Sequence, residues 1–270
     1  MVVSRSIPNT LTIAGSDPSG GAGIQADLKT LSALGTYATS VITALTAQNT
    51  RGVSGVHPVP ASFIAAQLAT LLDDVVIDAV KIGMVASREV AVAIREALVP
   101  RRPAWIVLDP VMVAKSGDFL VDNAGIAAVR ECLVPLADLI TPNLPEAAVL
   151  LDCPVPQDRA GMVALAPRLR DLGAGAVLLK GGHLKGEECP DLLITADATR
   201  WIEGARVDTT HLHGTGCTLS SAITARLAHH DALPDAAAAA KMWLEKALAA
   251  SSRLDVGQGQ GPVHHFHAWW

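Results

Sequence analysis

Residues 11–34 read LTIAGSDPSGGAGIQADLKTLSAL. Leu11–Ala14 is a short apolar run, and Ile24–Leu34 carries apolar residues at helical spacing. The stretch predicts a strand buried on both faces, a glycine-rich turn and a helix. The same alternation continues outward. Further strands are expected at Ser40–Leu45, Ala79–Gly83, Trp105–Leu108, Leu139–Ile140 and Ala176–Leu179. Helical spacing recurs at Pro60–Leu72, Ser87–Leu98, Asp122–Leu133, Pro145–Leu151 and Asp158–Leu172, with Ser87 and Asp122 as N-caps and Gly173 as a C-cap. Strand and helix in alternation imply a three-layer α/β/α sandwich around a mostly parallel sheet. Near residue 190 the pattern changes to a hairpin, Asp191–Thr195 and Arg200–Val207, followed by helices Thr215–His229 and Pro234–Ser251.

The chain has 270 residues, is 50% hydrophobic and 17% charged, and carries a formal net charge of −5. Its mean hydropathy is +0.35. That composition excludes a disordered chain or a coiled coil. No basic field is present to hold nucleic acid or an acidic membrane surface. Every apolar stretch is broken before the roughly 20 residues a membrane span needs. The four cysteines form no CxxC pair, and the N-terminal residues lack a secretory apolar region. A reduced, cytoplasmic protein is expected. Without repeats or a linker, residues 1–270 read as one domain.

In an open parallel sheet the ligand lies beyond the carboxyl ends of the strands. Four segments fall there. Gly21–Ala26 fits the GxGxxA dinucleotide fingerprint, but the second strand ends in Gln48 and Asn49 with no carboxylate to hold a ribose. A tight turn explains the same residues. Asp109, at the end of Trp105–Leu108, suits magnesium or phosphate, or a turn cap. The following Val113–Asp118 reads as a loop over a charged substrate or as a solvated turn. Asn143 and Glu146 stand three apart at a helix start, which fits a hydrated Mg²⁺ or a helix cap with Glu at its third position.

The sharpest segment is HLHGTGCTLS, residues 211–220. Three or four free amides are expected where Gly214, Thr215, Gly216 and Cys217 open a helix, forming an anion hole for a phosphoryl group. The helix dipole there would favour the Cys217 thiolate. No GxxxxGK[ST] occurs, so phosphoryl transfer would not use a P-loop. Lys180 adds a point charge at a strand end. Among the nine histidines no third ligand stands at zinc-like spacing. The C-terminal PVHHFHAWW reads as a tail that packs its tryptophans on the body or on a neighbouring subunit.

The segments GSDPSGGAGIQADLKT, TALTAQNTRGV, KIGM, VLDPVMVAKSGD, TPNLPEA, LLKGGH and HGTGCTLSSAI follow one another from residue 15 to 223, and GPVHHFH closes the chain. Together they resemble the hydroxymethylpyrimidine/phosphomethylpyrimidine kinases of thiamine biosynthesis, within the ribokinase-like superfamily. The resemblance implies ATP-dependent phosphorylation of 4-amino-5-hydroxymethyl-2-methylpyrimidine, first to the monophosphate and then to the diphosphate. It implies ATP and Mg²⁺ as cofactors and a homodimer. Substrate would be bound by Gln48, Gly15, Asp17, Met84 and Val111. ATP phosphates would fall to Asp109, Asn143, Glu146 and Lys180, with Asp109 and Glu146 on the magnesium through water. Cys217 would stand beside the substrate hydroxyl in the anion hole of Gly214–Gly216. Pyridoxine/pyridoxal kinase of the same fold is the alternative, and a dinucleotide-dependent oxidoreductase a second from another class.

Overall fold

The computed structural model describes residues 7–112 and 121–270. Six strands run parallel in the spatial order β2 (Tyr37–Asn49), β1 (Asn9–Ser16), β4 (Ala79–Ile82), β5 (Trp105–Leu108), β6 (Leu139–Ile140) and β7 (Val177–Lys180). Antiparallel strands extend both edges: β3 (Gly52–Pro58) beside β2, and β8 (Asp191–Ile194) with β9 (Thr199–Ile202) beyond β7. The expected strands are all present. β3 was not anticipated, and the second strand of the expected hairpin is shorter than Arg200–Val207.

Strand parity sorts the helices onto two faces. Ile106 and Leu108 point into a core shared with α2 (Ala61–Asp74), α3 (Arg88–Leu98), α5 (Leu144–Leu151) and α6 (Arg159–Arg170). Val107, between them, points the other way, into a smaller core under α7 (Thr215–Ala228) and α8 (Leu233–Ala249). α1 (Gly23–Ala33) packs against α7 on that second face.

Local signals explain several helix ends. Ser87 and Asp122 accept the backbone N–H groups of Val90 and Gly125, as N-caps should. Gly173 takes φ 89° just past α6. The expected single helix Asp122–Leu133 is instead α4 (Asn123–Ala128) followed by a π-helical turn, Val129–Leu133. Pro135, just beyond, has no N–H with which to continue an α-helical ladder. Of the described helices, none is long and apolar enough to cross a membrane.

Candidate active site

The parallel strands end along one edge of the sheet, and the candidate residues gather there in two groups. At the phosphate end, Asp109 follows β5, Glu146 lies in the first turn of α5 and Lys180 ends β7. Lys180 Nζ donates to Asp109 Oδ1 at 2.8 Å and lies 4.0 Å from Glu146 Oε2. Thr141 Oγ1 also donates to Asp109 Oδ1, at 3.0 Å. Asp109 Oδ2 is buried without a partner among the described residues. It faces the start of α7: a Cβ placed on Gly216 would lie 3.6 Å from it and 3.4 Å from Lys180 Nζ. The anion-hole residues and the ion pair therefore bound one space.

The electrostatics follow from burial and pairing. Burial raises the Asp109 carboxyl, but the charges of Lys180 and Lys81 outweigh it and hold the group below its ordinary value. Glu146 goes the other way. Burial, with the Asp109 charge behind it, pushes it up to about 7 against the pull of Lys180. Glu146 also accepts the Asn143 N–H while Asn143 Oδ1 accepts the Glu146 N–H, each at 2.8 Å. The helix-cap reading of this pair is thus realised, and the Asn143 side-chain oxygen is committed to it.

At the start of α7, Gly214 has φ 76°, and a Cβ there would overlap the Gly21 carbonyl oxygen. Only glycine fits. The Thr215 N–H turns back to Leu212 O at 3.4 Å, and Thr218 N–H closes the first helical bond on Gly214 O. The amides of Gly216 and Cys217 have no partner among the described residues. The Gly214 N–H likewise has none, so three open amides remain at this turn, in line with the three or four expected. Burial pushes the Cys217 thiol up to about 11, against the pull of the Lys81 charge and the Gly23 N–H on its sulfur. This corrects the expected thiolate: desolvation outweighs the helix dipole, and Cys217 is a neutral thiol.

The second group lies at the ends of β1 and β2. Gly15 sits where the β1–β2 register slips between Ala14 and Ser16, and Gln48 where the β2–β3 register slips after Ala47. Such irregularities re-aim side chains and recur beside active sites. Met84 packs over Gly15, its Cε 3.2 Å from where a Cβ would stand. Val111 is half-buried and donates its N–H back to Asp109 O. The Val113–Asp118 loop lies outside the described residues.

Asp17 departs from the role expected of it. Its carboxylate accepts the amides of Ser19, Gly21 and Ala22, the Ser19 hydroxyl, and His213 Nε2 at 2.8 Å. Burial opposes its ionisation, but these donors, His213 first, lower it to about 2. With every oxygen committed and only 2% of the residue exposed, Asp17 shapes the loop from within. It also takes the amides that the GxGxxA reading offers to a dinucleotide.

Two features escaped the sequence reading. Lys81, inside a strand taken as apolar, is fully buried with its Nζ 2.9 Å from Asp27 Oδ2. Thr12 Oγ1 and Ser221 Oγ complete the shell of Asp27, tying β1, β4, α1 and α7 together beneath Cys217. The C-terminal tail braces the same place. His213 N–H donates to Gly261 O, and Thr218 Oγ1 meets His265 Nε2 at 3.2 Å. Burial lowers His265 to about 3, so it stays neutral. Trp270 packs on His264 and Phe266, while both terminal tryptophans remain largely exposed.

The family model for phosphomethylpyrimidine kinase matches residues 17–264. The chain belongs to that family. It is 52% identical over 262 residues to the Escherichia coli hydroxymethylpyrimidine/phosphomethylpyrimidine kinase, covering 97% of this chain and 98% of that one. The Clostridium difficile phosphomethylpyrimidine kinase structure is similar with a TM-score of 0.79 at 42% identity, over 89% of this chain and 99% of that chain. An ADP complex of Bacillus subtilis pyridoxal kinase superposes with a TM-score of 0.90 at 36% identity, over 97% of this chain and 99% of that chain. Family membership is consistent with the absence of a GxxxxGK[ST] motif from the sequence.

Proposed function

We propose that the protein transfers the ATP γ-phosphoryl group to 4-amino-5-hydroxymethyl-2-methylpyrimidine, and then a second one to the resulting monophosphate, in thiamine biosynthesis. The observation that carries this reading is the pairing of the open amides at the start of α7 with Asp109 and Lys180 in one space, beside a loop that reaches Gln48. Gln48 offers a donor and an acceptor, matching a ring nitrogen next to an exocyclic amine. Gly15 would accept from that amine, with Met84 and Val111 on the two faces of the ring.

The lone Oδ2 of Asp109 and the carboxylate of Glu146 fit a hydrated Mg²⁺, which takes one or two carboxylates and keeps several waters. Bound there, the ion would screen the phosphate charges. Lys180 would leave part of its pairing with Asp109 to meet the same phosphates. The amides of Gly216 and Cys217 would hold the transferring group as charge spreads over its oxygens. Cys217, as a neutral thiol, would position the hydroxyl and not abstract its proton. Phosphoryl transfer with a loose transition state asks little of a base.

The test is a coupled assay with Mg-ATP on the pyrimidine, its monophosphate and pyridoxine. Diphosphate formation from either pyrimidine supports the reading, and monophosphate as the sole product contradicts the second step. The likeness to pyridoxal kinases keeps a vitamin B6 activity in view. Gln48→Met is expected to raise KM for the pyrimidine more than for pyridoxine, and equal losses would count against Gln48. We further propose one kinase domain, a cytoplasmic setting that keeps the four cysteines reduced, and a homodimer, which sedimentation at micromolar concentration would reveal.

A further inference from the structure

His213 belongs to no step above, yet it touches both ends of the site. Its backbone precedes Gly214 at the mouth of α7, and its ring reaches the substrate end. There Nε2 lies 2.8 Å from Asp17 Oδ2 and 3.4 Å from Gln48 Nε2. The ring packs against Gly21, where a Cβ would strike His213 Cδ2. It therefore has little room to turn.

The chemistry of these contacts fixes protons. Asp17 is an ionised acceptor, so the nitrogen facing it carries the proton and donates. The Gln48 amide then cannot present its own N–H groups to that nitrogen, because two donors would meet. The other end of the amide points the same way. Thr46 Oγ1 lies 3.2 Å from Gln48 Oε1, but its single proton goes to Ser16 O at 2.8 Å. Its lone pairs then face Gln48. A half-turn exchanges the amide oxygen and nitrogen and removes both conflicts: Oε1 takes the longer branch of a His213 N–H whose proton is aimed mainly at Asp17, and Nε2 donates to Thr46. One N–H and one lone pair of Gln48 are left for a ligand, in a fixed order.

We propose that His213, held by Asp17, sets the polarity of the Gln48 amide and is a specificity-determining positioning residue. The inference rests on the assignment of Gln48 to the pyrimidine edge. A reversed amide would put donor against donor and acceptor against acceptor along an aminopyrimidine. Pyridoxine has no amine beside its ring nitrogen and is indifferent to that order. His213 thus acts on discrimination between substrates, through Gln48.

The experiment measures kcat/KM for hydroxymethylpyrimidine and for pyridoxine with saturating Mg-ATP, and reads their ratio. His213→Ala is expected to lower the ratio at least about tenfold, since a recognition site loses most when its hydrogen-bond order is wrong. His213→Gln keeps an N–H toward Asp17 and should hold the ratio within about threefold of the parent. In a Gln48→Ala background, His213→Ala should lower the ratio no further. If His213→Ala fails to fold, His213→Phe tests the same point, because it keeps a ring against Gly21 but has no N–H to offer, and it should lower the ratio likewise. An unchanged ratio in the folded variant, or an equal fall in the Gln48→Ala background, overturns the proposal. A Gln48→Ala ratio equal to the parent's instead overturns the Gln48 assignment itself, which separates the two failures.

Discussion

Two glycine-rich helix starts stand side by side in this protein, and only one is open. At α1 the amides of Gly21 and Ala22 close on Asp17, a carboxylate supplied by the same loop. At α7 the amides of Gly216 and Cys217 have no partner among the described residues. The starts touch where Gly214 lies against the Gly21 carbonyl. Both sequences advertise an anion site, and only the one without an internal anion keeps amides free to serve as one. A glycine turn before a helix is therefore half a signal. The other half is whether an acid within a few residues has already claimed the amides.

The largest way to break the contrast is to disable the open end. Asp109→Asn removes the buried charge that Lys180 answers, and kcat is expected to fall about a thousandfold, as when a preorganised electrostatic partner is lost. Loss below tenfold in steady-state turnover would mean the pair is structural. Gly214→Ala forces the two starts apart and should lower kcat/KM about a hundredfold through misplacement alone. A circular dichroism spectrum like the parent's would show that the helices survive. Cys217 sharpens the contrast chemically. With its thiol pushed up to about 11, alkylation by iodoacetamide at pH 8 should run roughly a hundredfold slower than for a free thiol, followed by peptide mass. Rapid alkylation would restore the thiolate.

The smallest effect concerns stability. Glu146 binds its proton more tightly folded than unfolded, about 7 against an ordinary 4.5. Its contribution is therefore fully present below pH 4.5 and is lost as pH rises through 7. Glu146→Gln keeps the cap but not the buried charge. At pH 8 its melting temperature should exceed the parent's by a few degrees, about 2–4 °C per kcal/mol for a chain of this size. No difference at pH 8, or a gain only at pH 4, would contradict the sign.

Most of the fold was legible because buried parallel strands are nearly continuous apolar runs, and five of the six that opened the reading match within a few residues. β3 escaped because every one of its residues is exposed, so no burial rhythm marks it. Asn143 and Glu146 were legible as a choice between a metal site and a helix cap, of which the structure shows the cap, and the GTGC turn was legible as a glycine-opened helix start. The site was illegible where the partner is distant in sequence. Lys81 reads as an interruption of an apolar strand until Asp27 is found across the helix–sheet interface. Asp17 meets His213 across 196 positions, a pairing no local pattern reveals. The Cys217 proton depended on burial, which competed with the helix dipole and won.

The most direct test is a crystal structure with Mg-ADP, aluminium fluoride and hydroxymethylpyrimidine. The metal fluoride should lie within hydrogen-bond distance of Gly216 N and Cys217 N, with Asp17 still holding Gly21 and Ala22. Metal fluoride on the α1 amides, with Asp17 displaced, would contradict the account.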